Sequence, residues 1–170
     1  QFVERSRAHC IGEFDKAKRL KVLDLGSDNP YYDNPRFTSV TIAANMPLLE
    51  TFSVKNCGYL QQSINLSEST NLRVVEAEGS RITGIALPAY TNIETLHLPS
   101  SVSSVVLDYA RNLDAFRITT KNNTTREFTE DYSKLVTLRI NDSDYSDNVN
   151  WLDIAKLTLN ERIDTLYLHL

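Results

Sequence analysis

The sequence predicts a mainly β solenoid of about seven stacked coils, preceded by a short N-terminal helix. Three observations carry this reading. An apolar-x-x-apolar-x-apolar pattern occurs seven times. A second, shorter apolar-x-apolar element falls between successive copies. Of the two connectors that join these elements, one is nearly constant in length and the other varies.

The seven copies are Leu20-Leu23-Leu25, Leu49-Phe52-Val54, Leu72-Val75-Ala77, Ile93-Leu96-Leu98, Leu113-Phe116-Ile118, Leu135-Leu138-Ile140 and Ile163-Leu166-Leu168. The steps between them are 29, 23, 21, 20, 22 and 28 residues, the spacing of a repeat architecture. The shorter elements are Val40/Ile42, Ile64/Leu66, Ile85/Leu87, Val105/Leu107 and Leu152/Ile154, and the fifth copy is degenerate, with Arg126/Phe128 in that place. Alternation over three to five residues marks a strand with one face buried. Each coil therefore carries a major and a minor strand. No coil is long enough to bury its own apolar face, so the faces are covered by stacking. With about 4.8 Å per coil, seven coils would span roughly 30–35 Å.

Leu66 to Leu72, Leu87 to Ile93 and Leu107 to Leu113 are each six residues. Asn71, Asn92 and Asn112 sit one place before the major strand, where an Asn side chain can bond backbone groups of the turn and of the next coil. Tyr90, Tyr109 and Tyr132 recur in the same connector and read as a structural stack. The other connector runs 15 residues from Leu25 to Val40, 10 from Val54 to Ile64 and 12 from Ile140 to Leu152, against seven or eight in the middle coils. Length variation thus collects on one edge, together with Tyr31, Tyr32, Tyr59 and Tyr145. Repeat proteins commonly place insertions on the binding face, so these four tyrosines are candidate contact residues.

Ile11, Phe14, Ala17 and Leu20 have helical spacing among charged residues. Residues 3–18 are expected to form a helix over the first coil, dividing the chain into a helical cap (1–19) and a solenoid (20–170). Ile163–Leu170 reads as an apolar strand without a polar cap, and solenoid ends need covering. The expectation there is a continuing chain, a partner, or self-association through that edge. The chain begins at Gln1 with no visible signal peptide, which fits a fragment or a processed chain.

A net charge of −4 over 170 residues argues against a general nucleic-acid binder, and no apolar run approaches the length of a membrane helix. Cys10 and Cys57 have no metal-type spacing and read as buried thiols, with a disulfide between them as the alternative.

The segment Ile93-Glu94-Thr95-Leu96-His97-Leu98-Pro99-Ser100-Ser101-Val102-Ser103-Ser104-Val105 resembles the leucine-rich repeats of bacterial surface antigens, which have a leucine-to-proline strand followed by a Ser-Val turn. The Cys and Ala-Phe positions usual after that turn are absent. Asn65-Leu66-Ser67, Ile82-Thr83-Gly84-Ile85 and Leu96-His97-Leu98-Pro99 are more similar to leucine-rich-repeat proteins encoded by tailed phages of gut bacteria. The resemblance covers about residues 20–168. It implies a virion or tail-associated structural or binding role and brings no catalytic residue.

Outward positions of the major strands were read for chemistry. The third place holds Val22, Thr51, Val74, Thr95, Ala115, Thr137 and Thr165, a ladder of mostly β-branched side chains. The fifth holds Asp24, Ser53, Glu76, His97, Arg117, Arg139 and Tyr167. Glu76, His97 and Arg117 should lie on consecutive coils, about 5 Å apart, and with Arg139 they are the candidate ligand-reading residues. A carboxylate beside an imidazole can orient a base, but no nucleophile or oxyanion donor accompanies it. A polysaccharide-cleaving solenoid would need paired carboxylates in one groove; Asp24 and Glu76 are two coils apart with Ser53 between. Asn141–Asn148 offers oxygen ligands without the Gly and terminal Glu of an EF-hand loop, and reads as a solvated turn. The triplets at Asn65, Asn122, Asn123 and Asn141 match glycosylation acceptors at a frequency expected in a Ser/Thr/Asn-rich chain.

The expected function is a non-enzymatic interaction module without cofactor or metal, located on a virion or at a cell surface. Its expected partners are proteins, either virion components or a surface receptor, or glycans. The alternative is a bacterial surface adhesin domain.

Overall fold

The computed structural model describes residues 10–29, 37–89, 91–108, 112–141 and 165–169, with side chains from residue 11 and not over 108, 138–141 and 165–169. The chain is mainly β and winds as a β-solenoid. Strands β2 (Val22–Asp24), β4 (Thr51–Ser53), β6 (Val74–Glu76), β8 (Thr95–Pro99) and β10 (Ala115–Lys121) lie side by side in a parallel sheet. Between them the chain crosses to a second face carrying β3 (Phe37–Thr41), β5 (Ser63–Asn65), β7 (Gly84–Ala86) and β9 (Ser104–Asp108). Three consecutive turns carry a strand on each face: β4 with β5, β6 with β7, and β8 with β9.

The apolar triplets of the second, third and fourth copies point inward, as their spacing requires. Leu49, Phe52, Val54, Leu72, Val75, Ala77, Ile93, Leu96 and Leu98 are fully buried, and Val40, Ile64, Leu66, Val105 and Leu107 meet them from the second face. Met46, Leu60, Ile82 and Val102 fill the corners. At each entry to the first sheet one carbonyl accepts two N–H donors from the next coil. Lys21 accepts from Glu50 and Thr51, Glu50 from Arg73 and Val74, Arg73 from Glu94 and Thr95, and Glu94 from Asp114 and Ala115. This fork satisfies two successive amides where the chain bends into the strand, so each coil templates the next.

The seven-coil expectation is corrected. Five of the seven major strands stack in the first sheet. The sixth copy forms β12 (Thr137–Asn141), which pairs in parallel with β9 and not with β10, Leu138 opposite Val105 and Ile140 opposite Leu107. The seventh forms β13 (Thr165–His169), which pairs with β12. The cause lies in the degenerate fifth copy. Without an apolar-x-apolar element to cross to the second face, the chain reverses at Asn122–Glu127, with Arg126 at φ 65°. Strand β11 (Phe128–Glu130) then runs antiparallel along the outer edge of β10. That edge is occupied, so the next strand adds to the open edge of β9. It enters by the same fork, with the Ser103 carbonyl accepting from Val136 and Thr137. Local geometry is the same on either face, which is why the sixth copy reads like the others.

The expected N-terminal helix is also corrected over the described residues. Cys10–Glu13 forms strand β1, paired in parallel with β3, and turns follow it. Ile11, the first member of the helical pattern, is 69% exposed. A side-chain carbon at Gly12 would sit 2.6 Å from the Phe14 ring and 3.3 Å from the Phe37 ring, so glycine permits the two rings to close on the strand. Glycine also disfavours a helix interior by about 1 kcal/mol. Residues 1–9 lie outside the described residues. On this face β3 is joined to the coil below through a side chain: Gln62 donates to the Val40 carbonyl at 2.7 Å and accepts from the Val40 N–H at 3.1 Å.

Candidate functional site

The register Ser53–Glu76–His97–Arg117 holds across β4, β6, β8 and β10, so the spacing placed Glu76, His97 and Arg117 on consecutive coils as the structure has them. Their contacts differ from an acid–base array. His97 Nδ1 lies 3.9 Å from Glu76 Oε1, beyond hydrogen-bond reach. That nitrogen is buried and has no hydrogen-bond partner among the described residues. Burial holds the imidazole below its usual range, with Arg117 and Lys55 acting in the same direction and Glu78 opposing them. His97 is therefore neutral at pH 7.

Arg117 is committed to a residue outside the predicted set. Its Nη2 donates to Glu78 Oε2 at 2.7 Å, and its Nε lies 2.7 Å from Oε1 without hydrogen-bond alignment. Thr119 donates to the same carboxylate at 3.1 Å. The Glu78 side chain is only 2% exposed. It reaches from the end of β6 across Pro99, which has a short ring at the intervening position of β8, to β10. Beside it Lys121 donates to Asn56 Oδ1 at 2.8 Å, and Asn56 donates to the Ser27 carbonyl at 2.7 Å. Asn56 and Gly79 both take positive φ, 60° and 69°. A side-chain carbon at Gly79 would meet Asn56 Oδ1 at 2.5 Å and the Phe128 ring at 3.2 Å, so the β10–β11 hairpin closes directly over this turn. Glu78, Asn56 and Lys121 lie in turns or at strand ends, outside the alternating pattern. A charged residue flanked by the apolar Ala77 and Gly79 was the one sequence signal for Glu78.

The remaining candidates separate. Arg139 lies in β12 opposite Val106, on the second face, so it does not extend the ladder of Glu76, His97 and Arg117. Tyr59 is exposed at the corner between β4 and β5. Tyr31, Tyr32, Tyr90, Tyr109 and Tyr145 lie outside the described residues, as does all but the first residue of Asn141–Asn148. Tyr132 is buried, its ring centroid 6.5 Å from that of Phe116. Cys57 is a buried free thiol, its Sγ 3.4 Å from the Leu25 carbonyl. Burial, and secondarily Asp24, pushes it up to about 12. Among the described residues no His, Cys, Asp and Glu group could hold a metal ion.

A second feature lies at the entry edge of the first sheet. Glu50, Asn71, Arg73, Asn92, Glu94 and Asn112 line an open trough of about 410 Å³. The asparagines bond to the coil before and not, as expected, to the next one: Asn92 donates to the Thr70 carbonyl at 3.2 Å, Asn71 donates likewise to the Pro47 carbonyl, and Asn112 reaches a side-chain oxygen, Asn92 Oδ1, at 3.4 Å. Beside them runs a charged column, Lys21, Glu50, Arg73, Glu94 and Asp114. Lys21 pairs with Glu50 at 3.0 Å, and Arg73 donates through Nε at 3.0 Å and through Nη2 to Glu94 Oε1. Hydrogen bonding and charge from Glu94 raise the Arg73 guanidinium further. These pairs are solvent-exposed and contribute little to stability.

No family model, curated protein or solved structure matches the chain.

Proposed function

We propose that this chain is a non-enzymatic interaction module, a leucine-rich-repeat solenoid that serves as a structural component of a phage particle, associated with its tail or capsid. The observation that carries the non-enzymatic part is the commitment of the charged ladder to the scaffold. Arg117 is spent on the buried Glu78, and His97 is neutral and without a hydrogen bond to Glu76. An acid–base pair needs a hydrogen-bonded, titrating partner. What the first sheet offers to its surroundings is a regular outer face, with Thr51, Val74, Thr95 and Ala115 half-buried in one row. Such a face suits contact with another surface. The placement in a virion is supported by the likeness of Ile82–Ile85 and Leu96–Pro99 to repeats of tailed phages of gut bacteria. The related repeats of bacterial surface antigens make a cell-surface adhesin the alternative.

Immunogold electron microscopy with antibodies raised against the chain tests this on purified phage particles and on host cells from the source community. Labelling at a fixed position on particles is the expected result. Labelling confined to the bacterial envelope would establish the adhesin alternative instead. Turnover of envelope polysaccharide by the purified chain, read as release of reducing ends, would overturn the non-enzymatic reading.

A further inference from the structure

We propose that the trough formed by Glu50, Asn71, Arg73, Asn92, Glu94 and Asn112 is a binding site for a neutral, hydroxyl-rich glycan chain. The inference deepens the reading of the chain as an interaction module and rests on it.

The argument starts from which polar atoms of the lining are already used. The amide nitrogens of Asn71, Asn92 and Asn112 are held by Pro47, Thr70 and Asn92 in turn. Those bonds lock each amide plane in place. One oxygen of Glu50 accepts from Lys21, and one oxygen of Glu94 accepts both donations of Arg73. Among the described residues, the hydrogen bonds of the lining leave over as acceptors Asn71 Oδ1, Asn112 Oδ1 and the second oxygens of Glu50 and Glu94, and as donors the second N–H of each asparagine amide, the second N–H of Arg73 Nη2 and the Arg73 Nη1 group. A complementary ligand must both donate and accept.

Charge then narrows the class. Within the lining two carboxylates face one guanidinium, and Lys21 offsets Glu50 at one end. An anionic chain would meet Glu50 and Glu94. A cationic chain would meet Arg73 in the middle of the trough and Lys21 at its end. Hydroxyl groups satisfy carboxylate and amide oxygens while accepting from a guanidinium, with no charge to desolvate. The spacing also suits a polymer. The lining side chains recur once per coil, about every 4.8 Å along the stack, so a linear chain of rings can present similar hydroxyls to successive coils. A volume of about 410 Å³ lies within the size range of small-ligand sites. Among the described residues no aromatic side chain lines the trough to stack on a sugar ring, and a single site should bind with a Kd of the order of 1 mM. Display of many copies on one particle would raise the effective affinity.

The test is amide chemical-shift titration of the intact chain with neutral tetrasaccharides of α-1,4-, β-1,4- and β-1,3-linked glucose and of β-1,4-linked mannose. A tetragalacturonate and tetralysine serve as anionic and cationic controls. The expected result is saturable shifts confined to residues 47–50, 70–73, 91–94 and 112–114 with at least one neutral chain. Asn112→Ala and Glu94→Gln should weaken that binding at least about tenfold with the melting temperature nearly unchanged, while Asn123→Ala on the distant hairpin leaves binding intact. Three results would overturn the proposal: no neutral chain saturating by about 10 mM, shifts that map elsewhere, or tetralysine or tetragalacturonate binding more tightly. Particle labelling by the antibody alongside any of these would leave the interaction-module reading standing and remove only the glycan.

Discussion

His97 shows how a residue can look like a functional group and act as a stored cost. Its strand position puts it between a carboxylate and a guanidinium, and the structure has it there. Yet its Nδ1 is buried without a hydrogen-bond partner among the described residues, and burial, Arg117 and Lys55 outweigh the pull of Glu78. The folded-state value is thus lower than the unfolded one. When pH falls through about 6.5, the unfolded chain takes up the proton first, and stability is lost as the pH drops towards the folded-state value. Above about pH 7 the contribution is constant. Urea midpoints measured from pH 8 to pH 5 should fall for the parent chain, and His97→Gln should flatten part of that slope. His9 and His169 remain in both proteins, so the difference belongs to His97. Equal slopes for the two would mean that His97 titrates normally and is not held in the site as described. Glu78 is the opposite case among single residues. It was passed over because it sits beyond the end of a strand, where alternation no longer says which way a side chain points.

At the scale of elements, the β10–β11 hairpin decides the course of the chain. Its own ladder, Thr119 to Glu130 and Lys121 to Phe128, is only three residue pairs long. Two-stranded hairpins are marginal by themselves. Side chains fasten it to the stack: Arg117 and Thr119 hold Glu78, Lys121 holds Asn56, and Phe128 lies over Gly79. Replacing Glu78 with Gln keeps the shape and removes the charge that Arg117 faces. Because Arg117 is partly exposed, the cost should be about 1–3 kcal/mol, less than for a fully buried pair. The comparable change in the exposed pair, Glu94→Gln, should cost less than about 1 kcal/mol. Urea denaturation of the two variants checks this. If Glu78→Gln were no more costly than Glu94→Gln, the hairpin would be held by its apolar contacts and not by this cluster. The N-terminal element differs from its helical pattern for a related reason. Ile11, Phe14, Ala17 and Leu20 fit a helical period, but Phe14 and Leu20 pack on the core from the turns that follow β1.

For the whole molecule, the solenoid character was legible because burial imposes a period on each coil. Leu49, Leu72, Ile93 and Leu113 mark the same corner of four successive coils, and each is buried. The side-by-side order of Glu76, His97 and Arg117 followed from the same period. What the period does not contain is the identity of the neighbouring strand. An alternating pattern such as Leu135-Leu138-Ile140 states which side of a strand is buried and is satisfied equally on either face. The fork of hydrogen bonds at Ser103 reproduces the one at Lys21, Glu50, Arg73 and Glu94, so even the entry turn gives no local sign of the switch. The single hint was Arg126 and Phe128 in place of an apolar pair. The trough was illegible for another reason: its residues flank the first apolar position of each copy at the corner of the coil, asparagines before it and charged residues after it, and only stacking brings Glu50, Arg73 and Glu94 together.

The account turns on the claim that β12 continues the second face and not the first. Cysteine cross-linking measures this directly. Neighbouring strands place paired Cα atoms about 4.8 Å apart, within the range of a disulfide. Val106 is in register with Arg139, whereas a seven-coil stack would put Arg117 there. In a Cys10→Ser background, with Cys57 buried, mild oxidation should close an intramolecular disulfide in the chain carrying Val106→Cys and Arg139→Cys. The chain carrying Arg117→Cys and Arg139→Cys should remain reduced. Ready closure of the second pair with none in the first would contradict the exchange of sheets at the hairpin.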